Sequence, residues 1–471
     1  MNNYKTTVGI EVHAELKTKT KIFSNSANHY GRMANTCTNV VDLGYPGTLP
    51  TVNEEAIHLG LRAALVLNCE INKHMHFDRK NYFYPDNPKN YQITQNRTPI
   101  GINGYVEIDT ESGKKRIRIH DIHIEEDTCK SIHSESKSLL DFNRAGVPLV
   151  EIVTEADISS AEEAVKYLEK LRELLLYADV SDCKIEEVIM RCDCNVSVSK
   201  TDKLNTKVEV KNIGSISNVG VAVKYEEERQ IALYEKGETF KEQTRRFDDK
   251  TMSTILMRVK ETGNDYRYFP EPDIPFIDLT DEYIEETRKN LPMSAEERRE
   301  IYRKAGISEI NIEKIIQNRA ISDYLGKFKD INLVIASNLL LGDIAAYLNK
   351  MEMKIENTKC TDSKFETLVK YLDSGKINSK IFKEILDDVM EKDSDIDEIL
   401  RSHNVKEMSE NELIEIISYV INNNEQSVID YNSGNERAIK YLMGQIMKET
   451  KGNANPQLVN EKLIELLQRL K

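Results

Sequence analysis

A carboxylate, an imidazole and a second carboxylate alternate with apolar residues near the start of the chain. In the stretch VGIEVHAELK, residues 8–17, Glu11, His13 and Glu15 share one face of a predicted strand, and apolar side chains share the other. Such a polar face is either the solvated side of an antiparallel sheet or part of a metal or acid–base site. Only the rest of the chain distinguishes these two interpretations.

Two further stretches carry carboxylates that bear on this choice. In IHIEEDTCK, His123 and Glu125 share one face of a predicted strand, while Glu126 lies on the other. In GVPLVEIVTE, Glu151 is the single polar residue within 149–153. A carboxylate in so apolar a strand is costly unless it is paired or binds a cation.

The stretch VIMRCDCNVSV predicts another strand with a mixed polar face. Arg191, Asp193 and Asn195 lie on that face. Cys192 and Cys194 lie on the opposite face, and we interpret this Cys-x-Cys pair as core side chains rather than as a zinc clamp.

Four predicted strands therefore offer several carboxylates and one imidazole as candidate ligands. The candidate metal ligands are Glu11, His13, Glu125, Glu151 and Asp193. Oxygen-rich ligands of this kind suit a hard cation, Mg²⁺ or Mn²⁺, that also binds phosphate. The sequence does not show that the strands converge. The chain has no Walker A loop, so any use of ATP needs another phosphate-binding site. It has no Gly-x-Ser-x-Gly elbow, no Ser/Gly-rich amidase stretch and no cysteine in a recognisable nucleophile context, which argues against a serine or cysteine nucleophile.

The elements that must position these residues change character after Pro292. Ten of the eleven prolines and thirteen of the twenty glycines lie at or before this position. Because Pro and Gly punctuate strands and turns, residues 1–292 are predicted to be β-rich. One helix is predicted within this part, with Ser160 as its N-cap and Glu163 completing a capping box.

Beyond residue 292 the predicted helices are short and charged. We place a helical domain at 293–405 and a small helical tail domain at 406–471, so the predicted fold class is α+β. The apolar stretch LVIASNLLLGDIAAYL is interrupted by Asn338 and Asp343, which predicts a buried helix rather than a membrane span.

The composition limits the partners and the compartment. The 471 residues carry a net charge of −14, so non-specific nucleic-acid binding is not the default expectation. Seven cysteines, an odd number spread over a long chain, favour free thiols in a reducing cytosol over a disulfide framework. No cleavable signal or membrane span is recognised, and we expect a cytoplasmic protein without membrane contact.

Several sequence blocks occur in the order typical of one known family. They are GIEVHAELKTKTKIFS, DLGYPGTLPTVN, FDRKNYFYPDNPKNYQI, IHIEEDTCKS, NRAGVPLVEIV, RCDCNVSV, VEVKNIGS, QTRRFDD, DYRYFPEPDIP and, near the end, LMGQIMKETKGNANPQLVNEKL. In these blocks the chain resembles the B subunits of the aspartyl/glutamyl-tRNA(Asn/Gln) amidotransferases, the GatB family. The resemblance extends over essentially the whole chain and is far more specific than a single short motif.

This resemblance implies an enzyme subunit that acts on misacylated tRNA. Such a subunit uses ATP and Mg²⁺ to phosphorylate the side-chain carboxylate of Glu-tRNA(Gln) or Asp-tRNA(Asn), and then replaces the phosphate with ammonia. A separate amidase subunit releases the ammonia from glutamine, and a small third subunit completes a heterotrimer. The implied fold is a β-rich cradle domain that holds the kinase and transamidase site, a helical domain, and a tail domain for tRNA.

The resemblance also implies roles for individual residues. The metal ligands are the five candidates given above, and Lys80 falls where the family places a charged group near the ammonia path. The implied catalytic residues are Glu125, Glu126 and Lys80, and the implied nucleotide-binding residues are Arg191 and Asn195. Glu15 remains a solvated strand-face carboxylate in this interpretation.

One departure from the family concerns zinc. Many relatives hold a zinc ion with two cysteine pairs near the N-terminus. The corresponding positions in this chain are Ser24, Ser26, Asn39 and Asp42, and Cys37 is out of place. We therefore predict no structural zinc.

Basic residues concentrate near the end of an otherwise acidic chain, and we expect them to contact tRNA phosphates. They are Arg437, Lys440, Lys448 and Lys451. A non-catalytic tRNA-binding scaffold is the alternative from a different class, and retention of all five candidate ligands argues against it. A metal-dependent phosphohydrolase is a weaker third interpretation.

Overall fold

The computed structural model describes residues 3–133, 136–185, 187–259, 265–403, 405, 410–433, 435, 437–450, 454 and 456–469. The chain divides into two compact units, Met1–Ala295 and Glu296–Lys471. The first unit is rich in strands and the second is helical, which confirms the predicted α+β class.

The strands of the first unit form one large sheet and three small ones. In chain order they are β1 (Lys5–Glu15), β2 (Glu70–Ile71), β3 (His74–Met75), β4 (Asp78–Asn81), β5 (Tyr91–Thr94), β6 (Gly101–Thr110), β7 (Gly113–Glu126), β8 (Lys130–His133), β9 (Ser138–Asp141), β10 (Pro148–Thr154), β11 (Met190–Ser199), β12 (Val208–Lys211), β13 (Gln243–Asp248), β14 (Ser253–Val259), β15 (Phe269–Pro270) and β16 (Ile277–Asp278). Within the described residues, nine strands pair in the order β14-β13-β12-β11-β1-β10-β7-β6-β2. Their pairing is antiparallel except between β12 and β13.

One face of the large sheet packs against helices. The helices of this unit are α1 (Glu54–Val66), α2 (Ala161–Tyr177), α3 (Ile216–Glu235) and α4 (Asp281–Lys289). Ile10 and Val12 of β1 and Leu168 of α2 lie in the same buried cluster. Cys192 and Cys194 of β11 also belong to it, which confirms their predicted place in the core. The alternation of β1 therefore leaves its polar residues for the opposite face.

The N-terminus of α2 confirms Ser160 as the predicted N-cap but forms only one of the two bonds expected of a capping box. Ser160 Oγ accepts a hydrogen bond of 3.1 Å from the amide of Glu163, as an N-cap residue does. The reciprocal bond of a capping box is shifted by one residue, because the carboxylate of Glu163 accepts from the amide of Ser159 at 2.7 Å.

The second unit consists of short helices. They are α5 (Ala295–Lys304), α6 (Glu309–Gln317), α7 (Arg319–Gly326), α8 (Leu333–Leu341), α9 (Asp343–Lys350), α10 (Asp362–Asp373), α11 (Ser379–Glu391), α12 (Ile396–Ser402), α13 (Glu410–Asn422), α14 (Glu425–Asn432), α15 (Arg437–Glu449) and α16 (Pro456–Arg469). The last helices, α13, α15 and α16, share a separate hydrophobic cluster, in which Val459, Leu463 and Leu467 are fully buried.

The prediction of one buried helix over LVIASNLLLGDIAAYL was wrong, because the backbone breaks within it. Gly342, with φ −106° and ψ −108°, leaves the helical region and separates α8 from α9. Among the described residues, no helix is both long enough and apolar enough to cross a membrane.

Candidate active site

Strand β1 runs through the middle of a polar band on the face of the large sheet opposite the helices. Its register places His13 directly opposite Glu151 of β10 and opposite Arg191 of β11. Glu125 of β7 pairs with Leu149, two residues before Glu151 on the same face. Because directly opposed residues of antiparallel strands share a face, side chains from four strands meet here.

His13, Glu125 and Glu151, here called the His13 group, offer ligand atoms that all lie within 4.8 Å of one another. The Nε2 atom of His13 lies 3.3 Å from Glu151 Oε2 and 3.6 Å from Glu125 Oε1. Among the described residues, no donor reaches the buried Oε2 atom of Glu125. A buried carboxylate oxygen without a donor is costly, and two carboxylates with one imidazole therefore fit a hard divalent cation.

A second cluster, the Glu11 group, lies beside the first and contains Glu11, Asp193 and Glu209, again with ligand atoms within 4.8 Å of one another. Lys211 lies between two of its carboxylates, at 2.6 Å from Asp193 and 2.9 Å from Glu209. The predicted nucleotide-binding residue Asn195 donates a hydrogen bond of 3.0 Å to Glu11. The five predicted ligands thus fall into two adjacent groups, the second already balanced in part by an ammonium.

Sequence reasoning missed Glu209. The short stretch VEVK places this carboxylate between two valines of β12, opposite Asn195 of β11. The isolated carboxylate in an apolar strand is the same signal that singled out Glu151, and it could have identified Glu209 as well.

Mutual pairing governs the charges of the His13 group. Burial alone would raise the pKa of Glu151, but His13 and His123 hold it well below its ordinary value. Burial opposes the charged form of His13, yet Glu151 and Glu125 together outweigh this effect and raise its pKa. In the Glu11 group, burial and then Glu151 and Asp193 raise the pKa of Glu11. The shifts thus favour an ion pair between protonated His13 and ionised Glu151, in which a bound cation would take the place of the proton.

Lys80 belongs to β4 and approaches the His13 group from the three-stranded sheet that β4 forms with β5 and β15. Its ammonium lies 5.2 Å from the ring centre of Tyr266. Burial disfavours this charge, but Glu125 and Glu151, together with Tyr268 and Tyr266, outweigh burial and raise the pKa of Lys80. The lysine is therefore a cation held next to the carboxylates of the His13 group.

Glu126 points away from the His13 group. Its carboxylate pairs with Lys89 and accepts a hydrogen bond of 2.9 Å from the amide of Ile93. Together with Phe23, Asp42 and other residues, this pair lines a cavity of about 120 Å³. Glu126 thus belongs to a separate polar site on the other side of β7.

Arg191 connects the polar band to a larger cavity. This cavity of about 400 Å³ is lined by polar residues, including His13, Arg191, Asp193 and Lys211, and by apolar residues, including Met190 and Ile213. Arg191 also contacts Asp127 at 3.1 Å. A cavity of this size with two cationic side chains suits an anionic ligand with an apolar part.

Glu15 differs from its prediction as a solvated carboxylate. The side chain is partly buried at the end of β1. Burial and, to a smaller extent, Asp127 raise its pKa to about 7. The alternation along β1 placed Glu15 on the correct face, but that face is covered at this point.

The four positions that we compared with zinc ligands in the sequence analysis form a hydrogen-bonded cluster. Ser24 and Ser26 each donate a bond of 2.6 Å to the carboxylate of Asp42, and the amide of Asn39 donates one of 3.0 Å. The fully buried Lys21 lies 3.3 Å from the same carboxylate. Asp42 is therefore the centre of a polar network of side chains and backbone, which we call the Asp42 cluster.

Helix α15 carries three of the four predicted tRNA contacts. Arg437, Lys440 and Lys448 are exposed, and their spacing along a helix places them on one side. Ala438, Leu442 and Ile446 bury the other side. Lys451 lies outside the described residues.

Two family models match the chain. One, described as the GatB/GatE catalytic domain, matches residues 6–285, and the other, described as the GatB domain, matches residues 321–467. A protein of Enterococcus faecalis, named as the B subunit of an aspartyl/glutamyl-tRNA(Asn/Gln) amidotransferase, is 44% identical over 476 residues, which cover 99% of this chain and 100% of the relative. Proteins of that name from Bacillus mycoides and Ligilactobacillus salivarius are 44% and 45% identical, and each match covers at least 98% of this chain and 99% of the relative.

Proposed function

The chain belongs to the GatB/GatE family, and we propose that it is the subunit of a tRNA-dependent amidotransferase that activates and amidates a misacylated tRNA. Its substrates are Glu-tRNA(Gln), Asp-tRNA(Asn) or both, together with ATP and ammonia. The similarity to relatives named as B subunits of such enzymes, over nearly the full length of both chains, supports the tRNA-dependent amidotransferase role. The His13 group is the single structural observation that carries the ATP-dependent step.

The reaction proceeds in two displacements. A side-chain carboxylate oxygen of the misacylated tRNA attacks the γ-phosphorus of ATP, which forms an acyl phosphate and releases ADP. Ammonia then attacks the acyl carbon, the carbon–nitrogen bond forms, phosphate leaves, and a proton is lost to give the amide. Activation is needed because a carboxylate is a poor electrophile, and the acyl phosphate supplies a leaving group.

The His13 group is the proposed metal site. Its two carboxylates and one imidazole fit Mg²⁺, with Mn²⁺ as a close substitute, and among the described residues no donor satisfies one oxygen of Glu125. When bound, the cation neutralises charge on ATP and on the transferring phosphoryl group. The Glu11 group lies beside this site, and its ammonium from Lys211 reduces its need for a second cation.

The cavity of about 400 Å³ is the proposed nucleotide site. Arg191 and Lys211 offer positive charge to phosphates, and His13 links the cavity to the metal site. Met190 and Ile213 supply an apolar wall suited to a base. Asn195 contributes indirectly, because its amide group holds Glu11.

Two further parts of the proposal concern ammonia and tRNA. An amidase subunit and a small third subunit complete the enzyme as a heterotrimer, and the naming of the relatives as B subunits supports a multi-subunit assembly. The proposal assigns Lys80 to the ammonia path, and its electrostatic interaction with Glu125 and Glu151 supports a place for it beside the His13 group. The exposed cations of α15 contact tRNA phosphates, which positions the substrate without reading its bases.

One assay separates this function from its two competitors. The purified chain is incubated with ATP, Mg²⁺ and each misacylated tRNA, and release of ADP is measured with and without ammonium. We expect ADP release that requires misacylated tRNA, and amide formation with ammonium at raised pH or with glutamine once the amidase is added. ATP hydrolysis without tRNA would indicate a phosphohydrolase, and tRNA binding without ATP consumption would indicate a scaffold.

A matched pair of variants ties the assay to the site. Glu125→Gln removes a ligand of the His13 group while keeping its shape, and should abolish ADP release with little effect on tRNA affinity. Glu107→Gln changes a carboxylate on β6 that pairs with Lys114 at the surface, and should retain full activity. Equal activity of the two variants would contradict the proposed metal site.

A further inference from the structure

His123 lies next to the His13 group but makes a different set of contacts. Its Nδ1 atom lies 2.7 Å from Asp121 Oδ1, and its Nε2 atom lies 3.0 Å from Glu151 Oε2. The side chains of His123 and Glu151 are only 13% and 12% exposed, and that of Asp121 is 19% exposed. Both ring nitrogens therefore face carboxylates inside the polar band.

Two imidazoles thus reach the same carboxylate from different strands. His13 turns Nε2 toward both Glu151 and Glu125, so this nitrogen is part of the group that fits a cation. His123 has no nitrogen left for that purpose, because Asp121 occupies one side of its ring and Glu151 the other. The two histidines differ in role for this geometric reason.

We propose that Asp121 and His123 are positioning residues that fix the carboxylate of Glu151 for the metal of the His13 group. The inference rests on the proposed function, since it requires the His13 group to bind a cation. Asp121 orients the imidazole through Nδ1, and the imidazole holds one oxygen of Glu151 through Nε2. Residues that hold metal ligands in this way keep them from turning out of the site.

The strand register explains why this arrangement is rigid. Glu151 and His123 are direct partners across β10 and β7, and Asp121 precedes His123 by two residues on the same strand. The three side chains are attached to neighbouring backbone positions of a hydrogen-bonded sheet and not to a loop. Without them, repulsion from Glu125 and Glu11 would favour other orientations of Glu151.

The test measures Mn²⁺ affinity of the full chain without ATP or tRNA, by electron paramagnetic resonance. Glu151→Gln identifies the ion bound at the His13 group, because that variant should lose it. Asp121→Asn and His123→Gln should each lower the affinity for this ion about 10- to 100-fold. The double variant should bind Mn²⁺ no less tightly than the single variant with the lower affinity, because both changes interrupt one chain of contacts.

The matched control is His74→Gln on β3. His74 also pairs with a carboxylate, that of Asp278, but its side chain is exposed and lies outside the His13 group. It should leave Mn²⁺ affinity unchanged. Thermal unfolding of each variant tests folding, and Asp121→Asn, which keeps the size of the side chain, carries the test where His123→Gln does not fold.

The outcomes are distinct. Wild-type protein that binds no Mn²⁺ at a site sensitive to Glu151→Gln would overturn the proposed metal site together with this inference. Wild-type protein that binds Mn²⁺, with unchanged affinity in Asp121→Asn and His123→Gln, would overturn the positioning role alone. Additive losses in the double variant would also contradict it, because they would show independent effects.

Discussion

Glu125 and Glu126 are adjacent in the chain and point to opposite sides of strand β7. Glu125 faces His13 and Glu151, whereas Glu126 pairs with Lys89 in a separate cavity. The next residue, Asp127, contacts Arg191 at 3.1 Å. Three consecutive carboxylates thus contact three different partners: Glu125 contacts His13, Glu126 contacts Lys89, and Asp127 contacts Arg191.

Lys80→Ala should impair the glutamine-driven reaction more than the ammonium-driven one. The reason is that Lys80 lies beside the His13 group as a cation on the proposed ammonia route, while excess ammonium reaches the site from bulk solvent. Initial rates of amide formation with each donor, in the presence of the amidase, test this. Lys73→Ala is the control, since Lys73 pairs with Asp281 at the surface. An equal loss with both donors would assign Lys80 to the metal site instead.

Deleting residues 406–471 should weaken tRNA binding in a salt-dependent way and spare the chemistry at saturating tRNA. A finer version replaces Arg437, Lys440 and Lys448 by Ala. The slope of log affinity against log salt should then fall by about 1 for each lost phosphate contact. Filter binding from low to physiological salt measures this slope.

The control for that experiment removes the same charge elsewhere. Lys329, Lys350 and Lys354 are exposed lysines of the second unit outside α15, and their replacement by Ala should change the slope much less. Equal effects of the two triple variants would show that overall charge, and not the side of α15 that carries the cations, decides tRNA affinity.

Glu15→Gln should remove a pH-dependent loss of stability. The folded carboxyl has a pKa of about 7, raised from the ordinary 4.5. Below pH 4.5 both the folded and the unfolded chain are protonated here. Between pH 4.5 and 7 the unfolded chain loses this proton first, so the free energy of unfolding falls, by about 3 kcal/mol at most.

Thermal unfolding midpoints of wild type and Glu15→Gln from pH 4 to 8 check this prediction. The difference in favour of the variant should widen from pH 4.5 to 7 and remain constant above it. A difference that does not change with pH would contradict the raised pKa of Glu15.

Asp42→Ala should destabilise the first unit far more than Ser24→Ala. It leaves the buried ammonium of Lys21 without its carboxylate, which costs about 3–5 kcal/mol, whereas a lost serine bond costs about 1 kcal/mol. Adding Lys21→Met to Asp42→Ala should restore part of the loss, because the uncompensated charge is removed. Thermal unfolding and limited proteolysis measure these effects. A double variant less stable than Asp42→Ala would contradict the explanation.

Much of the site follows from a simple alternation of polar and apolar residues. Period two along β1 and β11 is enough to assign His13 and Arg191 to the polar face and Cys192 to the core. Which strands are neighbours does not follow from alternation. β1 pairs with β10 and β11, which lie more than a hundred residues further along the chain, and only long-range packing selects them.

The residues that sequence reasoning missed or misjudged have local explanations. Glu209 was overlooked because VEVK is too short to show a clear period, and its meaning depends on pairing with β11. The burial of Glu15 depends on what covers the end of β1, which no pattern within the strand records. The break at Gly342 lies in a uniformly apolar stretch, where composition alone does not locate a turn.

The central position of β1 has a consequence for how the chain is made. This strand leaves the ribosome well before its partners β10 and β11, which end only at Thr154 and Ser199. At about 5–20 residues per second, translation reaches the second partner roughly 10 to 40 s after β1. Until β10 emerges, both edges of β1 are unpaired, and one edge stays unpaired until β11 has followed. Folding of the large sheet is therefore expected to be late, and His13 acquires its neighbours Glu151 and Arg191 only once β10 and β11 have paired with β1.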